Sequence, residues 1–177
     1  FILVIGGAYI YAKVMPKLEI NVANSLVFYD QNNEVFFQGN EKTEWVGLND
    51  ISKNVINATI SAEDKNFYKH KGFDIFRIMK ASYVNIRNMK TEQGASTITQ
   101  QYAKNLFLDF DKTWKRKWEE ALYTIRLEAN YSKDEILEGY LNTINYGHGV
   151  YGIENASKFY FNKSAKDLDL AEATMLV

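Results

Sequence analysis

One proline, Pro16, stands in the 177 residues, and that scarcity constrains the fold more than any other feature. Proline breaks helix interiors and is confined to sheet edges and bulges, so the chain beyond Pro16 is free to run as helix. From Asp50 onward helix-start signals recur. Asp50 or Ser52 caps a helix carrying Ile51, Val55, Ala58 and Ile60. Asp74 caps a second, Ile75 to about Met89, and Ser96 a third, reaching about Leu108. Trp114 to Asn130 reads as a fourth. Ser132-Lys-Asp-Glu135 is a capping box opening a helix over Lys133 to about Asn142. Ile153 to Phe161 follows, with Asn162 suited to end it in the left-handed region, and Asp169-x-x-Glu172 opens a last helix toward Val177. No period of 20–50 residues recurs, which excludes a repeat array. The expected fold is mostly α.

Before Asp50 the chain reads differently. Phe1 to Ala12 is wholly apolar or glycine apart from its tyrosines, and as a helix spans about 18 Å, short of a hydrocarbon core of about 30 Å. It begins at Phe and runs into Tyr9, Tyr11 and Lys13, the order of a headgroup boundary. Residues 1–15 are therefore expected to be the C-terminal part of a truncated transmembrane anchor, with a signal-peptide remnant or a buried helix as the alternatives. Ser25 to Asp30 and Glu34 to Gly39 are β-rich around Gln31-Asn32-Asn33, which predicts a short hairpin within a connector over residues 16–49. Residues 50–177 form the main domain. The net charge of −1 gives no basic field for nucleic acid. With no Cys there is no disulfide, thiolate metal site or Cys nucleophile, and the two histidines, His70 and His148, have no zinc-ligand spacing.

Chemistry concentrates in three stretches. Ser61 to Asp74 puts Glu63 and Asp64 at the end of an apolar helical run, followed by Phe67, Tyr68, His70 and Gly72. Acids at a helix end beside rings are candidates for proton transfer, although an ordinary solvated helix end would look the same. On the Ser96 helix, Thr97, Gln101 and Lys104 share a polar stripe behind Gly94, a weak anion-site signal. On the Trp114 helix, Trp118, Leu122 and Ile125 read as a core stripe, with Arg116 and Glu120 opposite. Lys112, Lys115, Arg116 and Lys117 crowd its start, where cations oppose the macrodipole by about 0.3–1 kcal/mol each. An anionic partner would offset that cost, and so would simple solvation. Two carboxylates on different elements beside a cationic cluster suit glycosyl transfer from a sugar pyrophosphate. Aromatic and basic residues interleaved on the Ile75 helix suit either a membrane surface or an ordinary core helix with a basic face.

These residues also fall into blocks that resemble a known family. Glu63-Asp64-x-x-Phe67-x-x-His70 leads into Gly72-Phe73-Asp74. Gly94-x-Ser96-Thr97-Ile98-Thr99-Gln100-Gln101 leads to Lys104-Asn105. Arg116-Lys117-x-x-Glu120 precedes Leu127-Glu128, Tyr131 to Asn142 reads Y-S-K-D-E-I-L-E-x-Y-L-N, and Tyr151 to Ser157 reads Y-G-I-E-x-A-S. The blocks resemble the peptidoglycan glycosyltransferases of glycosyltransferase family 51, found in bifunctional penicillin-binding proteins and monofunctional transglycosylases. The chain departs from the family pattern with Ala95 in a Gly-Gly-Ser and Asn162 before Lys163-Ser164.

The resemblance implies a lysozyme-like, mostly α domain with a membrane-associated small lobe formed after Asp74. It implies polymerisation of lipid II, with inversion, from an undecaprenyl-pyrophosphate-linked glycan to the GlcNAc 4-hydroxyl. Glu63 would be the general base and Glu120 the second carboxylate, acting directly or through a divalent cation, Mg or Mn, with no obligatory cofactor otherwise. Lys104, Arg116 and Lys117 would bind pyrophosphate, while Ser96, Thr97, Gln101 and Asn105 would line the cleft. Asp64, Phe67 and His70 would support Glu63. Implied partners are lipid-linked glycan strands, the membrane, a C-terminal transpeptidase domain and cell-wall synthesis proteins. The implied location is the bacterial cell membrane, single-pass, with the domain on the extracytoplasmic side. No S-x-x-K tetrad of a penicillin-binding transpeptidase occurs in these residues. A lysozyme-like muramidase and a non-catalytic cell-wall scaffold are the competing readings, the first also using two carboxylates.

Overall fold

The computed structural model describes residues 2–18, 27–29, 35–38, 44–88, 94–108 and 113–177. Eight α-helices appear among them: α1 (Ile2–Val14), α2 (Lys53–Glu63), α3 (Ile75–Asn88), α4 (Ile98–Phe107), α5 (Trp114–Asn130), α6 (Lys133–Thr143), α7 (Ile153–Phe161) and α8 (Leu170–Leu176). Strands β1 (Val27–Tyr29) and β2 (Val35–Gln38) pair antiparallel, Phe28 opposite Phe37, with an irregularity between Phe28 and Tyr29. The Asn-rich turn read between them lies outside the described residues.

Capping explains most boundaries. The Ser52 hydroxyl accepts from the Asn54 amide to start α2. Reciprocal capping boxes open α6 at Ser132 and Glu135 and α8 at Asp169 and Glu172. Asn162 ends α7 at φ 53°. For α4 the cap is Thr97, not Ser96. The Thr97 hydroxyl accepts from the Gln100 amide at 3.2 Å, and the Gln100 side chain accepts from the Thr97 amide at 3.1 Å. Thr-x-x-Gln satisfies two otherwise orphaned donors, whereas Ser96 has no acidic or amide partner three residues on.

The core forms where α4 packs on α5 and α6. Ile98, Tyr102 and Ala103 of α4, Leu127 of α5 and Ile136, Leu137 and Leu141 of α6 are buried together, with Phe67 and Val55 closing one end. Gly139 makes the α4–α6 approach possible. A Cβ there would collide with the Tyr102 ring and hydroxyl, so the glycine's propensity cost of about 1 kcal/mol in a helix is offset by close packing. The same core extends to α8 through Ala173, where α2 packs on α8, and α1 lies along α5. The Asn130 side chain donates to the Ala12 carbonyl at 3.3 Å and Arg126 to the Pro16 carbonyl at 3.0 Å.

Two expectations change. Of the supposed core stripe of α5, Trp118 and Leu122 face outward, 73% and 54% exposed, and Ile125 is half-buried. The buried face is Glu120, Thr124 and Leu127. A stripe chosen for hydrophobicity misleads where a helix turns polar groups inward and satisfies them there. The expected membrane anchor is not shown either: among the described residues no helix is long and apolar enough to cross a membrane, and α1 has 13 residues. On α3 only Ala81 is buried, while Ile75, Phe76, Met79, Tyr83 and Ile86 are exposed.

The start of α3 is fixed by Asp74, as its sequence position predicted. One carboxylate oxygen accepts from the Arg77 amide at 3.0 Å and the other from the Asn66 side chain at 2.9 Å. These two hydrogen bonds hold the Asp74 carboxyl below its ordinary range. A carboxyl lowered in the fold adds stability above its unfolded pKa and loses it as pH falls through the folded one. Between about pH 5 and about pH 2, Asp74→Asn is therefore expected to lose less stability than the parent in urea titrations; an equal loss would contradict the assignment. Gly139→Ala is expected to cost about 1–3 kcal/mol and lower the melting temperature by roughly 2–10 °C, and an unchanged melting curve would remove Gly139 from that role.

Candidate active site

The site is built on the turn between α2 and α3. Asp64, the residue after α2, is fully buried. Its carboxylate takes His70 Nε2 at 3.0 Å from each oxygen, and Oδ2 also accepts from the Ile98 amide, the first of α4, at 3.1 Å. A charged acceptor at a helix N-terminus is stabilised by the unpaired amides and the dipole there. A second tie runs the other way. The Thr97 hydroxyl donates to the Gly72 carbonyl at 2.6 Å. Gly72 has φ +85°, and a Cβ on it would lie 2.6 Å from Thr124 Cγ2, so this turn passes against α5 only as glycine. Phe67 fills the space beneath, buried, with the Lys133 ammonium 4.5 Å from its ring centre. Asp64, Phe67 and His70 thus form a pedestal that joins the turn to α4.

Glu63 stands on that pedestal as the last residue of α2. The Arg77 guanidinium donates to its backbone carbonyl, satisfying one of the acceptors a helix end leaves open. Its carboxylate projects into a cavity of about 300 Å³, also lined by Gln101, Asn105, Tyr140 and Tyr146. Gln101 Nε2 donates to Glu63 Oε2 at 2.6 Å.

Glu120 meets the neighbouring face of α4, at Gln100. It is buried and receives Gln100 Nε2 at 3.3 Å, the Lys117 ammonium, and the Arg116 guanidinium at 3.9 Å. Consecutive residues on a helix point about 100° apart. Gln100 and Gln101 therefore serve carboxylates on two sides of α4. Lys104, half-buried, follows them at i+4 and i+3, on the face between. Among the described residues it makes no ion pair, while Glu120 is met by two cations, so this region keeps excess positive charge.

The structure thus gathers Glu63, Gln101 and Asn105 at one cavity, and Arg116, Lys117 and Glu120 in a cluster outside its lining. Thr97 is moved from the expected cleft lining to the interior, its hydroxyl engaged with Gly72 and the α4 cap. Ser96 is half-buried and does not line the cavity. Sequence reasoning missed Gln100, although Thr97-x-x-Gln100 is a readable capping box, and missed Arg77 and Tyr140, whose roles depend on tertiary approach. It also left Glu128 unused: this carboxylate accepts from Thr99 and Lys133 at 2.6 Å each and links α4, α5 and α6. The donor set around Glu120 does not fit a divalent cation. Lys117 and Arg116 occupy its carboxylate, and among the described residues no three His, Cys, Asp or Glu side chains are grouped to hold a metal ion.

Comparison with known proteins gives the chain a family. The family model described as Transglycosylase matches residues 31–177. Penicillin-binding protein 2D of Bacillus subtilis is 54% identical over 167 residues, covering 93% of this chain and 24% of that protein. Penicillin-binding protein 1F of the same organism is 47% identical over 90% of this chain and 22% of its own length. Penicillin-binding protein 1A of Neisseria gonorrhoeae is 43% identical over 85% and 19%. The chain spans at most about a quarter of the length of these curated relatives. With the family model matched over most of its residues, the chain belongs to the transglycosylase family.

Proposed function

We propose that the chain is a peptidoglycan glycosyltransferase acting in cell-wall synthesis, and that it extends glycan strands from lipid II. The observation that carries this reading is the placing of Glu63: a helix-end carboxylate in an open cavity, held by Gln101, with cationic residues around α4. Glu63 accepts the proton of the GlcNAc 4-hydroxyl as that oxygen bonds to the donor's anomeric carbon. The bond from that carbon to the undecaprenyl pyrophosphate breaks, with inversion, to give a β-1,4 linkage. Negative charge builds on the leaving pyrophosphate, where Lys104, Arg116 and Lys117 stabilise it. Glu120 holds Arg116 and Lys117 in place, and no step is assigned to a divalent cation.

The donor and acceptor are lipid-linked, and the exposed face of α3 suits that chemistry. Phe76 is 85% exposed beside Ile75, Met79 and Tyr83, with Lys80 and Arg87 among them. In this reading α3 is the membrane-facing small lobe, α1 is the outer end of a single-pass anchor, and the domain works on the extracytoplasmic side of the cell membrane. The relatives are named for penicillin binding; the reading assigns none to these residues.

Glu63→Gln is expected to abolish polymerisation of labelled lipid II, a loss of at least about 100-fold, with an unchanged melting curve. Parent-like strand synthesis in that variant would overturn the base assignment, and cleavage of preformed strands by the parent would favour a muramidase. Lys104→Ala is expected to weaken binding of the lipid pyrophosphate by about tenfold; equal affinity in a titration would remove Lys104 from the site.

A further inference from the structure

The hydrogen bond on Glu63 has an unassigned third member. Tyr140 of α6 is 3% exposed and its hydroxyl lies 3.1 Å from Gln101 Oε1. A carboxamide oxygen only accepts, so the phenol is the donor. The same Gln101 carboxamide donates through Nε2 to Glu63 Oε2 at 2.6 Å. The three side chains thus form one directed chain, phenol to amide to carboxylate, carried by α6, α4 and α2.

We infer that Tyr140 is a positioning residue for the transfer reaction: its phenol fixes the Gln101 amide with the NH₂ group turned to Glu63, which holds the Glu63 carboxylate in its rotamer. This rests on Glu63 being the base. While Glu63 is charged, a turned amide is already disfavoured, because its oxygen would face a carboxylate oxygen. Once Glu63 has taken a proton, its carboxyl could donate to the amide oxygen and the turned state would become competitive. Tyr140 occupies that oxygen and removes the alternative, so the amide remains a donor through the cycle. Desolvation, followed by the nearby Glu63 charge, raises the Tyr140 hydroxyl above the ordinary phenol range, which keeps it protonated.

Tyr140→Phe keeps the ring and removes one oxygen. In the full chain with lipid II, we expect kcat to fall about tenfold, the scale of one lost hydrogen bond, with KM within twofold and the melting temperature within a few degrees. The same substitution in a Gln101→Ala background is expected to change kcat by less than twofold, since Tyr140 acts only through Gln101. A parent-like kcat in Tyr140→Phe, or an equal loss in both backgrounds, overturns the inference. Gln101→Glu, which leaves Tyr140 intact, is an independent arm. It presents only acceptor oxygens to Glu63 when ionised and is expected to lower kcat at least tenfold; full activity would overturn the donor role. Activity in Glu63→Gln would mean that the base assignment failed. An inactive Glu63→Gln with a fully active Tyr140→Phe would mean that only the present inference failed.

Discussion

The buried carboxylate of Asp64 is the interaction on which the candidate site depends. It has no solvent, so both oxygens must be satisfied internally. His70 and the Ile98 amide do this, and together they join the end of α2, the following turn and the start of α4. The contact between the Thr97 hydroxyl and the Gly72 carbonyl closes the same junction from the other side. Glu63 is the neighbour of Asp64 in sequence and inherits its position. Removing one member of a buried charged cluster leaves the others unpaired, which is more costly than the cluster is stabilising. The local structure is therefore held in one arrangement, as the role proposed for Glu63 requires.

Two electrostatic environments lie against neighbouring faces of α4, about 100° apart. On one side Glu63 faces a cavity with amide and phenol groups. On the other Glu120 is buried under Lys117 and Arg116. This division suits a reaction in which a proton leaves one substrate while negative charge builds on the other. Consecutive glutamines, Gln100 and Gln101, set the division at the level of single residues.

Much of the fold was legible because its helices carry their own start signals. Ser52, Asp74, Ser132 and Asp169 all cap where they were expected to. The α4 start lies one residue after Ser96 because Thr97 has Gln100 three residues on to complete a capping box, whereas Ser96 has Thr99. The α5 face was inverted for a deeper reason. Hydrophobicity marks a core stripe only when the apolar side faces the protein, and here Glu120 and Thr124 face inward while Trp114 and Trp118 do not. The candidate site was legible in its residue types but not its partition. No periodicity separates Gln100 from Gln101 by the carboxylate each will meet, and none brings Tyr140 to Gln101. The Tyr140–Gln101 pairing arises from how closely α4 and α6 approach, which Gly139 permits, and the two glutamine–carboxylate pairings from the approach of α4 to α5 and to the end of α2.

The most direct measurement is a crystal structure of the chain with a lipid II analogue that binds as acceptor but cannot react. The account predicts the GlcNAc 4-hydroxyl position within about 3 Å of a Glu63 carboxylate oxygen, with Gln101 still donating to the other. An acceptor sugar bound away from Glu63, with that carboxylate turned to solvent or to a protein cation, would contradict it.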